Sequence, residues 1–103
     1  MEPYRVDFEK MDWESPMPGV RHRARGDRSK RLRLVEYSQA MEPHWCERGH
    51  TGVILAGTFE IEFKDGTQLF HSGDGVFIPA GRSHRHRARC LTAVVRAVFV
   101  EDR

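Results

Sequence analysis

Residues 73–86 read GDGVFIPAGRSHRH. Gly73-Asp74-Gly75 and Pro79-Ala80-Gly81 are strong turn signals, and they bracket one short apolar strand over 76–78. His84 and His86 follow two residues apart. On a continuing strand their rings would share one face. Closely spaced turns and a strand of three residues point to a small β protein, and the histidine pair in its arginine-rich run is by itself a weak sign of a site.

The same pattern extends outward from this stretch. Downstream, residues 91–100 read LTAVVRAVFV, long, β-branched and nearly all apolar, as a strand covered on both faces should be. Upstream, Asp65-Gly66 predicts a hairpin joining 58–63 to 67–71. Phe59, Ile61 and Phe63 alternate there with Glu60, Glu62 and Lys64. Ala56-Gly57 separates that strand from the apolar run 53–55, and Gly26-Asp27 separates 20–25 from 31–37. Within RLRLVEY, 31–37, Leu32 and Leu34 share one face. Tyr4, Val6 and Phe8 alternate with Arg5, Asp7 and Glu9, before Ser15-Pro16-Met17-Pro18-Gly19 breaks the segment. No 3.6-residue periodicity is sustained anywhere, so no helix longer than about two turns is predicted. Many short strands at regular spacing predict an all-β sandwich or barrel.

Composition narrows the function. With 103 residues, 39% hydrophobic and 31% charged, the chain reads as one soluble globular domain. No apolar run approaches the ~20 residues of a membrane helix. The start MEPYRVDFEK lacks the apolar stretch of an export signal. Cys46 and Cys90 are too few for a disulfide framework. A cytoplasmic location is therefore expected, with the thiols read as chemistry. Seventeen Lys and Arg against fifteen Asp and Glu leave a net charge of only +2. Arginines cluster at 21–33 and again at 82–89, but no aromatic platform is interleaved with them. They read as solvated strand faces, against a nucleic-acid groove.

The chemistry concentrates in EPHWCERGHTG, residues 42–52. His44 and Cys46 stand two apart, so on a strand both face one ion, and Gly49 lets the chain bend to bring His50 round. Imidazole and thiolate suit Zn, Fe, Ni or Cu rather than Mg or Ca. His84 and His86 supply a second cluster that a folded sheet could bring beside the first.

Gly73, Pro79, Gly81 and His84 stand as G-x5-P-x-G-x2-H, which resembles the second motif of the cupin superfamily with every spacing intact. The first motif of that family is G-x5-H-x-H-x3,4-E-x6-G. Here His44 takes its first histidine, Cys46 its second, His50 its glutamate and Gly57 its closing glycine. Ser38 stands for the first glycine, and Ala88 for the usual asparagine. The 15 residues between the motifs, 58–72, match small bacterial cupins. The resemblance implies a double-stranded β-helix (jelly-roll) antiparallel barrel over 1–103 as a single domain, with the motifs in 38–90 and an N-terminal edge or dimer segment in 1–19. It implies one divalent transition metal, zinc or iron first, with nickel, copper or manganese as alternatives. The ligand set it implies is His44, Cys46, His50 and His84, with His86 as a spare ligand or a base beside the site. Three arrangements stay open: all four bind, three histidines bind with Cys46 nearby as a reactive thiol, or the site is empty.

Two functions follow from that implication. One is a metal-dependent enzyme on a small molecule, of dioxygenase, isomerase or lyase type. The other is a non-catalytic zinc-binding or ligand-sensing module. Segment 4–8, Met11, Trp13 and Met17 exceed what a small core can take in, so a homodimer is expected. His22 and His71 read as surface or packing residues, Trp45 as facing away from the ion, and Cys90 as a buried hydrophobe. Arg96 reads as facing outward. Val53, Leu55, Phe77 and Val95 read as lining a partly apolar cavity.

Overall fold

Two antiparallel sheets form the fold in the computed structural model, which describes residues 3–103. The larger sheet contains β1 (Glu14–Met17), β2 (Val20–Gly26), β3 (Lys30–Ser38), β4 (His50–Ala56), β7 (Gly75–Ile78) and β9 (Val94–Asp102), in the order β1-β2-β3-β9-β4-β7. The smaller contains β5 (Thr58–Phe63), β6 (Gly66–His71) and β8 (His86–Cys90), in the order β6-β5-β8. Beyond these, the described residues hold two three-residue 3-10 turns, Phe8–Lys10 and Arg82–His84. This is the jelly-roll arrangement expected from the sequence, with sheets that pack face to face without closing into a continuous barrel. Among the described residues no helix is long and apolar enough to cross a membrane.

Local sequence explains most of these elements. Phe63 pairs with Gly66, so Lys64-Asp65 is the two-residue turn, one step before the predicted Asp65-Gly66. Asp27 closes the β2–β3 turn: its carboxylate accepts from Ser29 N, Ser29 Oγ and Lys30 N. Those bonds hold its pKa down at about 2. The core lies between the sheets. Val35, Ile54 and Val95 are fully buried, and each contributes about 1.5–3 kcal/mol by leaving water.

Several inward and outward assignments differ from the sequence reading. Residues 4–8 form no strand, and Tyr4 lies in the open. The guanidiniums of Arg21 and Arg23 instead lie over the ring of Trp13, each 4.1 Å from its centroid, and Met17 packs against the core. Phe77 is 80% exposed and Leu55 45%, because β7 and β4 turn Val76, Ile78 and Ile54 inward. Arg33 is buried rather than solvated, and it donates to His22, itself buried. Arg96 does face outward, where it and Arg21 grip Glu36 from the two flanking strands.

Candidate metal centre

Residues 39–49 form no strand, yet one point in them is fixed. Cys46 N donates to His86 O at 2.8 Å, and His86 N donates to Cys46 O at 3.0 Å. This isolated antiparallel bridge sets the two residues directly opposite each other, so their side chains project to the same side. The stretch between Cys46 and β4 is pressed against residues 78–81. A Cβ on Gly49 would lie 2.8 Å from Ala80 N and 2.9 Å from Ile78 O, so only glycine fits there. His50 then opens β4 opposite the end of β9, and Glu101 is its neighbour.

The ligand atoms of Cys46, His50 and His86 all lie within 4.8 Å of one another. Small rotations would bring them to the ~2.0–2.3 Å bonds of a shared zinc ion. Each donor is also steadied from behind. His50 Nδ1 donates to Glu101 Oε2 at 2.7 Å, leaving Nε2 for a ligand. His86 Nδ1 lies 3.0 Å from the His84 carbonyl. A carbonyl only accepts, so Nδ1 carries the proton and Nε2 keeps its lone pair. That Nε2 is buried and has no partner. The backbone N–H of Arg48 donates to Cys46 Sγ at 3.4 Å. Ligating histidines characteristically have the far nitrogen bonded in this way.

Charge is arranged to match. The neighbouring imidazoles of His50 and His86, with the Arg48 N–H, outweigh burial and bring the Cys46 thiol down to about 5. Burial alone would lower His50, but the Cys46 sulfur beside it and its bond to Glu101 raise it. Burial would raise Glu101, yet the His50 bond and the Arg33 and Arg31 guanidiniums hold it at about 2. The site therefore keeps an ionised sulfur and an ionised carboxylate at neutral pH. One thiolate and two imidazoles are a donor set that fits a divalent transition ion.

Of the four expected ligands, two are among the three donors that meet. Cys46 and His50 are in the cluster. His44 lines the same cavity, but it is exposed and its Nδ1 donates to Glu42 O at 3.3 Å. His84 ends the 3-10 turn, exposed beside Phe63 and Lys64, and contributes its carbonyl rather than its ring. His86, expected as a spare ligand or base, takes the inward place. Shared strand parity for 84 and 86 fails because β8 begins only at His86. Glu101 was missed altogether. Its signal was the alternation of Val95, Ala97 and Phe99, which puts residue 101 on the same inner face.

The trio opens on a cavity of about 300 Å³ between the sheets. Phe59, Ile61, Val76, Ile78 and Phe99 form its apolar wall, and Arg31, Arg33 and Arg48 its cationic side. The family model described as "Cupin domain" matches residues 31–100. No curated protein matches the chain in sequence. Among solved structures, the chain resembles KdgF from Halomonas sp., at 19% identity and TM-score 0.74 over 91% of this chain and 89% of that one. It also resembles an RmlC-like cupin from Shewanella frigidimarina, at 16% identity and TM-score 0.73 over 96% and 91%. A third is the polyketide cyclase RemF from Streptomyces resistomycificus, at 23% identity and TM-score 0.75 over 98% and 80%. At these identities the likeness is one of fold.

Proposed function

Because the chain belongs to the cupin family, we propose that it is a metal-dependent enzyme acting on a small molecule, of dioxygenase, isomerase or lyase type. Cys46, His50 and His86 hold one divalent transition ion, zinc or iron. The observation that carries this reading is the buried, unpartnered Nε2 of His86, set in one cluster with a thiolate and a second imidazole. Such an atom is costly to bury unless something binds it. Three protein donors leave a coordination position facing the cavity, as catalytic sites do and closed structural sites do not. Once bound, the ion supplies Lewis-acid polarisation or, for iron, redox chemistry.

The remaining residues serve the trio. Glu101 and the His84 carbonyl orient the two rings, and the Arg48 N–H steadies the sulfur. His44, at the cavity outside the trio, is placed to exchange a proton with a bound molecule. Both cysteines are free thiols, which suits the cytoplasm. The same reading takes the protein as a homodimer. The outer face of the large sheet leaves Phe77, Leu55 and Val100 exposed near its β7 edge, an apolar surface that a second copy would cover.

Elemental analysis tests the metal assignment. Protein purified without added metal should carry one ion per chain. His86→Ala and Cys46→Ser should lose it, while His84→Ala should retain it. Cobalt substitution should give a thiolate charge-transfer band that Cys46→Ser removes. A stoichiometric ion that survives His86→Ala would sink the assignment. A fourth protein ligand in the metal-loaded protein would mark a closed, structural zinc site instead.

A further inference from the structure

The charges around the cavity do not balance. Among the described residues that line it, Glu101 is the one carboxylate, against the guanidiniums of Arg31, Arg33, Arg48 and Arg87. Arg87 is neutralised outside the cavity by Glu62 at 2.7 Å. The other three have only Glu101 to share. Arg31 reaches Glu101 Oε1 at 3.1 Å, Arg33 reaches Oε2 at 3.2 Å, and His50 takes the same Oε2 at 2.7 Å. Arg48 is exposed at the rim, and its guanidinium has no partner among the described residues. Three guanidiniums against the Glu101 carboxylate and the Cys46 thiolate still leave a positive charge in excess.

We propose that the cavity binds a small organic acid, its carboxylate held by Arg48 and Arg31 beside the Cys46–His50–His86 cluster and its body against Phe59 and Ile61. The inference takes its position from the metal-enzyme reading above, but the arginines act with or without the ion. A low-dielectric pocket with unbalanced cations selects an anion, because a neutral ligand of the same shape leaves those cations uncompensated. Two of the three arginines are at least partly buried, so their attraction is screened less than that of a surface patch. A bound divalent ion adds two further positive charges and strengthens the preference. The apolar wall makes a bare inorganic anion a poor fit. A volume near 300 Å³ lies at the small end of ligand pockets, so the acid is a monomer rather than a polymer.

Mandelate and mandelamide, nearly identical in shape but differing in charge, make the test. Calorimetry on the zinc-loaded and the metal-free protein should show mandelate at least about tenfold tighter than mandelamide in both forms. Arg48→Gln, at an exposed position, should cut the preference at least about threefold, and Arg31→Gln should cut it further. Equal affinity for acid and amide, or no binding of either, overturns the proposal. So does an acid preference that Arg48→Gln and Arg31→Gln leave untouched. The two readings separate cleanly. One zinc per chain with no acid preference overturns this inference alone. Failure to take up zinc, with the preference kept in the metal-free protein, overturns the metal reading and supports this one.

Discussion

Replacing Glu101 with Gln removes one negative charge from a place where two guanidiniums and an imidazole converge. Glu101 is 4% exposed, and it accepts from Arg31, Arg33 and His50 at 3.1, 3.2 and 2.7 Å. Glutamine keeps the shape and one acceptor oxygen, but its amide nitrogen meets donors that no longer have a partner. Arg33 is itself buried and cannot turn to water. Breaking a buried charge cluster from one side costs about 3–5 kcal/mol, chiefly because the surviving charges stay desolvated. With a urea slope of about 1.5 kcal/mol/M for a domain of this size, the unfolding midpoint should fall by about 2–3 M. Glu101→Gln should also weaken metal affinity, since His50 loses the carboxylate that orients it, by about 10–100-fold. Arg33→Met combined with Glu101→Met removes both charges and should recover most of the lost stability, which keeps the test usable if the single variant does not fold. A loss below about 1 kcal/mol in Glu101→Gln, with metal affinity unchanged, would refute the buried-cluster argument.

The pH dependence of stability follows from the same carboxylate. Its pKa is depressed from 4.5 to about 2 by folding, so its contribution is fully present above about pH 4.5 and is lost as pH falls toward 2. Wild-type unfolding midpoints should drop through that window, and Glu101→Gln should show a shallower drop. In metal-free protein, iodoacetamide should alkylate Cys46 with a midpoint near pH 5, while Cys90, pushed up to about 11 by burial, stays unmodified at neutral pH; a Cys46 midpoint near 8.5 would contradict the influence of the two neighbouring imidazoles. Zinc should protect Cys46 from the reagent. Sedimentation at micromolar concentration should show a dimer that Phe77→Asp converts to a monomer, and a monomeric wild type would count against the pairing face.

What could be read from the chain alone is what neighbours in sequence decide. Turn chemistry at Gly26-Asp27, Ala56-Gly57 and residues 64–66 sets where strands stop, because those residues alone make such bends cheap. Alternation in 58–63 marks a strand, and the spacing from Gly73 to His84 marks the family, since both are properties of a local stretch. The Cys46–His50 window was visible for the same reason. Which face points inward was not visible. Period two says that Leu32 and Leu34 share a side, or that Val76 and Ile78 do, and it is silent on which side meets the second sheet. Packing of β5 and β8 across β3, β4 and β9 made that choice, and it buried Arg33 while exposing Phe77. The choice between His84 and His86 turned on a 3-10 turn that ends where β8 begins, and on the single bridge to Cys46. Glu101 lies 51 residues from His50, and only the β4–β9 pairing brings its carboxylate to that ring. Long-range pairing and burial, which no local stretch encodes, therefore decided which donors meet.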